Sequence, residues 1–277
     1  MPVLLKSAEG PDAAARVGAI KALGDVATAN DMPALIKLLT SAKSPQEAGA
    51  AEKSVSAVCA RATNRDACAD ALVAPIAKAT PETKQALLRL LCSVGCAKSL
   101  QSLRTAANDA NTETRDAATR ALCEWPDLDA AGDLLNLGKT GATPTYKLLG
   151  IRGYLRLAAN ADVQPQQKLD MCKLAAELIQ RDDEKRLLLG VLGSVPNGPS
   201  LQMVATYLDN PGTKEEAATA AVAIVERMSR GRNAGPLPPV AGDVMQKVAQ
   251  VSGNAELVKK ANAFAKRAQR KAPAKKK

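Results

Sequence analysis

The chain has 277 residues, of which 46% are hydrophobic but only 2% are aromatic, and its net charge is +10 with no histidine. Without histidine, the sequence supplies neither a Ser–His–Asp nor a Cys–His catalytic group, and it lacks the most common protein ligand for metals, so we expect no cofactor. No run approaches the roughly 20 apolar residues of a membrane span. The N-terminus also lacks a basic segment followed by a long apolar run, so the sequence predicts no secretory signal.

The first predicted element is repeated further along the chain. Residues 1–6 read MPVLLK and residues 32–37 read MPALIK, with Met, Pro, Leu and Lys in the same places. Either the likeness is a coincidence, or the chain is a stack of similar units and starts partway through one of them.

A second recurring segment is an apolar helix that ends in a small residue. Its copies are AIKALGDVA (19–27), SVSAVCARA (54–62), LLRLLCSVG (87–95), ATRALCEWP (118–126) and LLGVLGSVP (188–196), with weaker copies at 150–158 and 220–228. One anchor position aligns in all of them, at Gly24, Cys59, Cys92, Cys123, Leu155, Gly193 and Val225. The anchor spacings of 35, 33, 31, 32, 38 and 32 residues are typical of a helix-hairpin solenoid.

A second helix is predicted between successive anchors. We name the anchor-bearing helices A helices and the intervening ones B helices; the B helices are predicted over 31–41, 66–79, 97–108, 127–138, 165–180, 199–209 and 239–250. Residues 1–6 match a B helix, and 254–269 are predicted to form a last A helix. The sequence therefore predicts an all-α fold, a right-handed α-solenoid of about seven helix pairs with a half-repeat at each end. We expect it to form one domain over 1–265, followed by a disordered tail over 266–277.

Capping residues agree with these helix starts. Ser44, Thr80 and Thr143 each precede a proline, which predicts a capping hydroxyl followed by proline at the first helical position. Thr213 and Glu216 have the spacing of a capping box.

These repeats resemble HEAT repeats, the armadillo-related class of α-solenoid. The clearest unit is NTETRDAATRALCEWPDLDAAGDLLNL (111–137), in which Arg115 and the alanine-rich A helix match the bacterial form of the repeat. Segments such as AAEKSVSAVC and YLDNPGTKEEAATAAVAI are similar to HEAT modules of large bacterial proteins that often carry a keto-disaccharide-hydrolase-type domain. The resemblance implies that the chain is a module of a longer, exported protein, whereas this chain alone predicts the cytoplasm by default.

A basic ladder follows the A helices, eight residues before each anchor. Its members are Arg16, Lys84, Arg115, Lys147 and Lys185, and Ala51 and Ala217 interrupt it. One interpretation is a stripe that binds an acidic partner or phosphates. The other is a structural role, in which each member pairs with carboxylates or helix C-terminal carbonyls of the neighbouring repeat.

The six cysteines do not have the pattern of a metal site. Cys59, Cys92 and Cys123 share the anchor position, where glycine stands in two other repeats, so small size is the common property. Without histidine or paired CxxC motifs, the sequence disfavours zinc. Cys59 and Cys68 flank one tight A–B turn, which leaves two alternatives open: a disulfide, or buried free thiols.

Positive charge concentrates at the C-terminus. Residues 254–277 carry a net charge of +8, and the other 253 residues carry +2. The tail contains Lys266, Arg267, Arg270, Lys271, Lys275, Lys276 and Lys277. It is interpreted either as a polyanion-binding segment or as a solvated terminus. The loop 230–239 is the longest irregular connection and is read either as a functional loop or as a spacer.

Three functions are compatible with these features. The first is a noncatalytic scaffold for a protein partner, whose B helices line the binding surface; its expected contact residues are Lys37, Lys78, Arg104 and Asp133. The second is a nucleic-acid or polyanion binder that uses the ladder and the tail. The third is a HEAT-type lyase or glycosylase, which the scarcity of aromatic residues disfavours. Apolar half-repeats at the two ends also predict end-to-end self-association.

Overall fold

The computed structural model describes residues 1–230 and 236–270, and 76% of these residues are helical. They form sixteen α-helices, three short 3₁₀ turns and no β-strand. The prediction of an all-α protein is confirmed. None of the helices in these ranges is long and apolar enough to cross a membrane.

The helices divide into two compact units. The first unit contains α1 (Pro2–Ala8), α2 (Ala13–Val26), α3 (Met32–Thr40), α4 (Pro45–Arg61), α5 (Arg65–Val73), α6 (Pro81–Val94), α7 (Ala97–Ala106) and α8 (Thr112–Cys123). The second contains α9 (Ala131–Thr140), α10 (Pro144–Ala159), α11 (Pro165–Ala176), α12 (Asp182–Leu192), α13 (Gly198–Ala205), α14 (Lys214–Ser229), α15 (Val240–Val251) and α16 (Ala255–Arg270). The continuous domain expected over 1–265 stays a prediction.

The predicted A helices are the even-numbered helices, and the predicted B helices are the odd-numbered ones. Within the first unit α2, α4, α6 and α8 pack side by side in chain order, and within the second unit α10, α12, α14 and α16 do the same. Each A helix also packs against the B helix that precedes it in the chain. Packing of each helix on its near neighbours in sequence is the arrangement that an α-solenoid requires.

The two copies of the opening hexapeptide lie in different environments. Met32 in α3 is 1% exposed, whereas Met1 is 37% exposed and Val3 is 76% exposed. The difference arises because α3 packs against α4 and α5, while α1 packs against α2. The shared methionine is thus core in one copy and surface in the other.

Two anchor glycines lie where successive A helices cross closely. A Cβ atom on Gly24 would lie 2.8 Å from the Ser54 hydroxyl and 3.0 Å from the Ser54 Cα. A Cβ atom on Gly193 would lie 3.3 Å from the Cα of Ala220. Ser54 and Ala220 both lie five residues before the anchor of their own helix. The repeat alignment therefore corresponds to a recurring helix crossing, at which small residues let two backbones meet.

The predicted caps are confirmed with one exception. The hydroxyls of Ser44, Thr80 and Thr143 each accept a hydrogen bond from the backbone N–H three residues later, and each is followed by proline. The capping box at Thr213 is wrong, because the Thr213 side chain makes no capping bond and its hydroxyl instead donates to the Tyr207 carbonyl.

Three helix ends differ from the predictions. Helix α5 ends at Val73, because Pro75 has no N–H to continue the hydrogen-bond ladder, and Lys78 therefore lies on a 3₁₀ turn. Gly193 caps α12 from just beyond its last turn. Helix α16 continues to Arg270, where the sequence predicted a disordered tail, because alanine, lysine, arginine and glutamine are strong helix formers.

Two glycines of α2 give a matched test of the crossing. Gly24→Ala should destabilise the protein by about 1–3 kcal/mol, because the new methyl group overlaps Ser54, whose hydroxyl bonds the Ile20 carbonyl at 2.7 Å. Gly18→Ala, with no atom within 4 Å of its Cβ, should stabilise the same helix by about 0.5–1 kcal/mol. Urea unfolding measures both, and equal effects would contradict a close crossing at Gly24.

Candidate interaction surface

A groove of about 600 Å³ lies between α6 and α8 in the first unit. Its lining includes Cys92 from α6 and the small residues Ala117 and Ala121 from α8. Arg89 and Arg120 line the same groove with their exposed guanidinium groups. We name this space groove 1.

A second groove of about 650 Å³ lies along α12 and α14 in the second unit. Its lining includes Gly190, Gly193 and Ala223, and Leu257 of α16 adds an apolar side chain. No atom lies within 4 Å of a Cβ placed on Gly190, so this glycine leaves open space in the groove. We name this space groove 2.

The two grooves occupy the same place in the repeat. Both lie between two successive A helices, and the anchor of the first helix, Cys92 or Gly193, lines each of them. On the second helix, Ala121 and Ala223 both lie two residues before the anchor. The grooves are therefore two copies of one structural feature, one in each unit.

Ion pairs flank both grooves. Arg89 donates two hydrogen bonds to Glu52 at 2.9 and 3.0 Å, and this contact raises the pKa of Arg89. Arg120 pairs with Asp116 at 2.8 Å in groove 1. Arg186 pairs with Glu216 at 3.2 Å in groove 2. Each groove thus offers an apolar interior with exposed charges of both signs at its margin.

Glu215, which also lines groove 2, holds the start of α16 in place. Its carboxylate accepts hydrogen bonds from the Gly253 N–H at 2.7 Å and the Ser252 hydroxyl at 2.8 Å. The Gly253 bond, followed by the Ser252 bond, lowers the pKa of this carboxyl. Glu215 is therefore used for packing and not as a free charge.

The basic ladder divides into different kinds of contact. Arg16 is buried and pairs with the buried Glu47 of α4 at 2.7 Å, and it also donates to the Gly10 and Pro11 carbonyls. Arg115 donates to the Asp109 carbonyl at 3.0 Å, and Lys185 pairs with Asp182 of its own helix at 2.8 Å.

The other two ladder members are less buried than Arg16. Lys84 is half-buried and Lys147 is exposed. The five residues thus share a place in the sequence but differ in burial and in partners, and a binding stripe stays a prediction.

The four residues expected to contact a partner are not equally available. Lys37 and Lys78 are exposed, and Lys37 pairs with Glu9 at 2.8 Å. Arg104 is half-buried and donates to the Asp129 carbonyl at 3.0 Å, and Asp133 is also half-buried. Half of the expected contact set is thus partly covered within its own unit.

The cysteines and the tail are placed as follows. All six cysteines are free thiols, and Cys59 and Cys68 are buried. Lys266 is exposed and Arg267 half-buried on α16, which ends at Arg270. Lys271, Lys275, Lys276 and Lys277 lie outside the described residues, as does the 231–235 part of the predicted loop.

Sequence reasoning missed the arginines that hold successive A helices together. The Arg61 guanidinium donates to the carbonyls of Gly24 at 2.6 Å and Ala27 at 3.2 Å, and that of Arg227 donates to the Gly193 carbonyl. Both arginines lie two residues after an anchor and bond the preceding anchor where that anchor is glycine. They neutralise carbonyls at a helix C-terminus, where a positive charge is favourable.

A second basic row was also missed. Lys21, Arg89, Arg120 and Arg152 lie three residues before their anchors, and all four are exposed. The same anchor alignment would have revealed this row at an offset of three instead of eight.

Comparison with known proteins gives no family. No family model and no curated protein matches the chain. Similar solved structures include an engineered protein, 18% identical with a TM-score of 0.46, whose alignment covers 96% of this chain and 78% of that one. Another is human deoxyhypusine hydroxylase in complex with glycerol, 14% identical with a TM-score of 0.32, covering 90% of this chain and 99% of that one. At these TM-scores and identities, neither structure informs the function of this chain.

The two glutamates of α4 that pair with arginines, one buried and one half-buried, should respond differently to substitution. Glu47→Gln should lower the melting temperature by about 5–10 °C, because it leaves the Arg16 charge buried without its partner. Glu52→Gln removes a partly exposed pair with Arg89 and should change the melting temperature by less than about 2 °C. Differential scanning fluorimetry at pH 7 compares the two variants. A larger decrease in melting temperature in Glu52→Gln than in Glu47→Gln would contradict this ranking.

The same pair should make stability depend on acidity. The hydrogen bond from Arg16, followed by that from the Lys43 N–H, lowers the pKa of Glu47 from 4.5. A lowered folded-state pKa adds stability above pH 4.5 that is lost as the pH falls through the folded-state pKa. The difference in melting temperature between wild type and Glu47→Gln should therefore shrink below pH 4.5, and a gap that widens there would count against the pair.

Proposed function

We propose that this protein is a noncatalytic scaffold that binds a protein partner through the grooves between its A helices. In this proposal the helix pairs form a right-handed α-solenoid of about seven HEAT-like repeats. The observation that supports it most directly is the repetition of one groove, with the same anchor register, in both units.

The chemistry of the grooves favours a protein segment over a phosphate. Groove 1 combines Ala117 and Ala121 with two arginines that already pair with Glu52 and Asp116. A phosphate would compete with these carboxylates, whereas a peptide can place an apolar side chain in the groove and exchange ion pairs at its margin.

The proposal moves the binding surface from the B helices to the A helices. The B-helix residues Arg104 and Asp133 are half-buried, whereas Arg89 and Arg120 are exposed beside open space. Binding would be distributed over two shallow grooves, so that each groove contributes part of the affinity. End-to-end self-association stays a prediction.

Filling the grooves should abolish partner capture. Ala117→Tyr and Ala223→Tyr place a ring in groove 1 and groove 2, and together they should reduce the amount of a captured partner at least about tenfold. The assay uses the full chain as bait in native lysate, with mass spectrometry to quantify each captured protein. Circular dichroism of each variant confirms that the helices remain.

Gln101→Tyr is the matched control, because Gln101 is exposed on the B helix α7. A partner retained by Gln101→Tyr and lost by the groove variants supports the A-helix surface. If only Gln101→Tyr loses the partner, the binding surface lies on the B helices. If wild type captures no protein above background, the scaffold proposal is rejected.

A second candidate function is binding of nucleic acid through α16. Lys259 and Lys266 lie seven residues apart on its exposed face, while Ala261 and Ala265 on the other side are buried. Lysines two turns apart on one helix face can contact successive phosphates.

Salt dependence tests this second function. If α16 binds single strands, Lys259→Ala with Lys266→Ala should reduce the slope of log affinity against log salt by about 1.4 for a labelled oligothymidine. Lys53→Ala with Lys139→Ala removes the same charge from exposed positions outside the ladder and should leave the slope unchanged. An unchanged slope in the α16 variant, or an equal decrease of the slope in the control, would show that α16 is not the nucleic-acid-binding element.

A further inference from the structure

Three sulfur atoms gather at the hairpin formed by α4 and α5. The Cys59 thiol lies 3.9 Å from the Met32 thioether, and the Cys68 thiol is near enough to raise the pKa of Cys59. Cys59 and Cys68 are 2% and 1% exposed. Two cysteines therefore lie side by side in the core of the first unit.

A short, capped turn separates the two helices that carry the cysteines. Helix α4 ends at Arg61 and α5 begins at Arg65, so that only three residues separate them. The Ala62 N–H donates to the Cys59 carbonyl, and the Asn64 side chain accepts from the Ala67 N–H at 3.0 Å and caps α5. Cys59 lies in the last turn of α4, and Cys68 lies in the first two turns of α5. These two hydrogen bonds fix both ends of the connection between the helices.

The surroundings favour a neutral product over a charged one. Burial, followed by the neighbouring Cys68, raises the pKa of the Cys59 thiol to about 12. A bound metal would need thiolates in this apolar site, which burial opposes. A disulfide carries no charge, so burial in an apolar site does not oppose it.

We propose that Cys59 and Cys68 are a dithiol site that a two-electron oxidant converts into one intramolecular disulfide. With the azo compound diamide, one cysteine sulfur adds to a nitrogen of the N=N bond, and the second sulfur then displaces that nitrogen. The two S–H bonds are lost, one S–S bond forms, and the two hydrogens leave on the hydrazine product. The two cysteines are oxidised and the azo group is reduced, so atoms and electrons balance.

The disulfide would close a short loop between two adjacent helices. Linking residue 59 to residue 68 restricts the unfolded chain and should raise the melting temperature by about 5–10 °C. Reduction would reverse the gain. The site would thereby set the stability of the first unit according to the oxidising power of its surroundings.

Peptide mapping of the full chain tests the link. The protein is incubated with diamide, its remaining thiols are alkylated in denaturant, and it is digested with trypsin without reduction. Cleavage after Lys53, Arg61, Arg65 and Lys78 should give peptides 54–61 and 66–78 joined by a disulfide. The joined pair should disappear with dithiothreitol, together with the increase in melting temperature.

Cys172 supplies the matched control. It is fully buried like Cys68, and it is the only cysteine between residues 131 and 277. Cys68→Ala should lose both the link and the oxidative stabilisation, whereas Cys172→Ala should keep both. If Cys59 and Cys68 remain alkylatable after oxidation, or if Cys59 is found joined to Cys92, Cys96 or Cys123, the proposal is overturned.

Discussion

The close side-by-side packing of successive A helices is the constraint on which the rest of the structure depends. With one tryptophan and one phenylalanine in 277 residues, the core is filled mainly by leucine, valine and alanine. Such side chains bury enough apolar surface only when backbones lie close together, and the crossings at Gly24 and Gly193 make that approach possible. A larger residue at either crossing would separate the helices and expose the apolar stripe of the next pair.

Polar groups are arranged around this packing. Arg61 and Arg227 bond carbonyls at the ends of the preceding A helices, and Arg16 satisfies the buried Glu47. These contacts place charge where a helix end or a buried carboxylate requires it. Arg89 and Arg120, in contrast, pair with carboxylates in partly exposed positions, where ion pairs contribute little to stability and can be exchanged for those of a partner.

The grooves and the thiol pair are two consequences of the same packing. A groove remains where alanine or glycine on neighbouring A helices leaves space that no side chain fills, as at Ala117 and Gly190. The thiol pair arises where a three-residue turn joins α4 to α5 and leaves Cys59 and Cys68 buried on either side of it. Recognition and redox chemistry would therefore use different parts of a repeat, the first between A helices and the second at an A–B turn.

The sequence alone determined the helices, their order and most of their caps, because these depend on apolar periodicity and on local residues such as Ser44 before Pro45. It also located the anchors, five of which are glycine or cysteine. Only the tertiary structure decided which ladder members pair: Arg16 meets Glu47 thirty-one residues away, while Lys147 is exposed. It also decided that open space lies along the A helices. Both outcomes depend on how helices cross and on which carbonyls and side chains then lie within reach, and no periodicity along the chain records those distances.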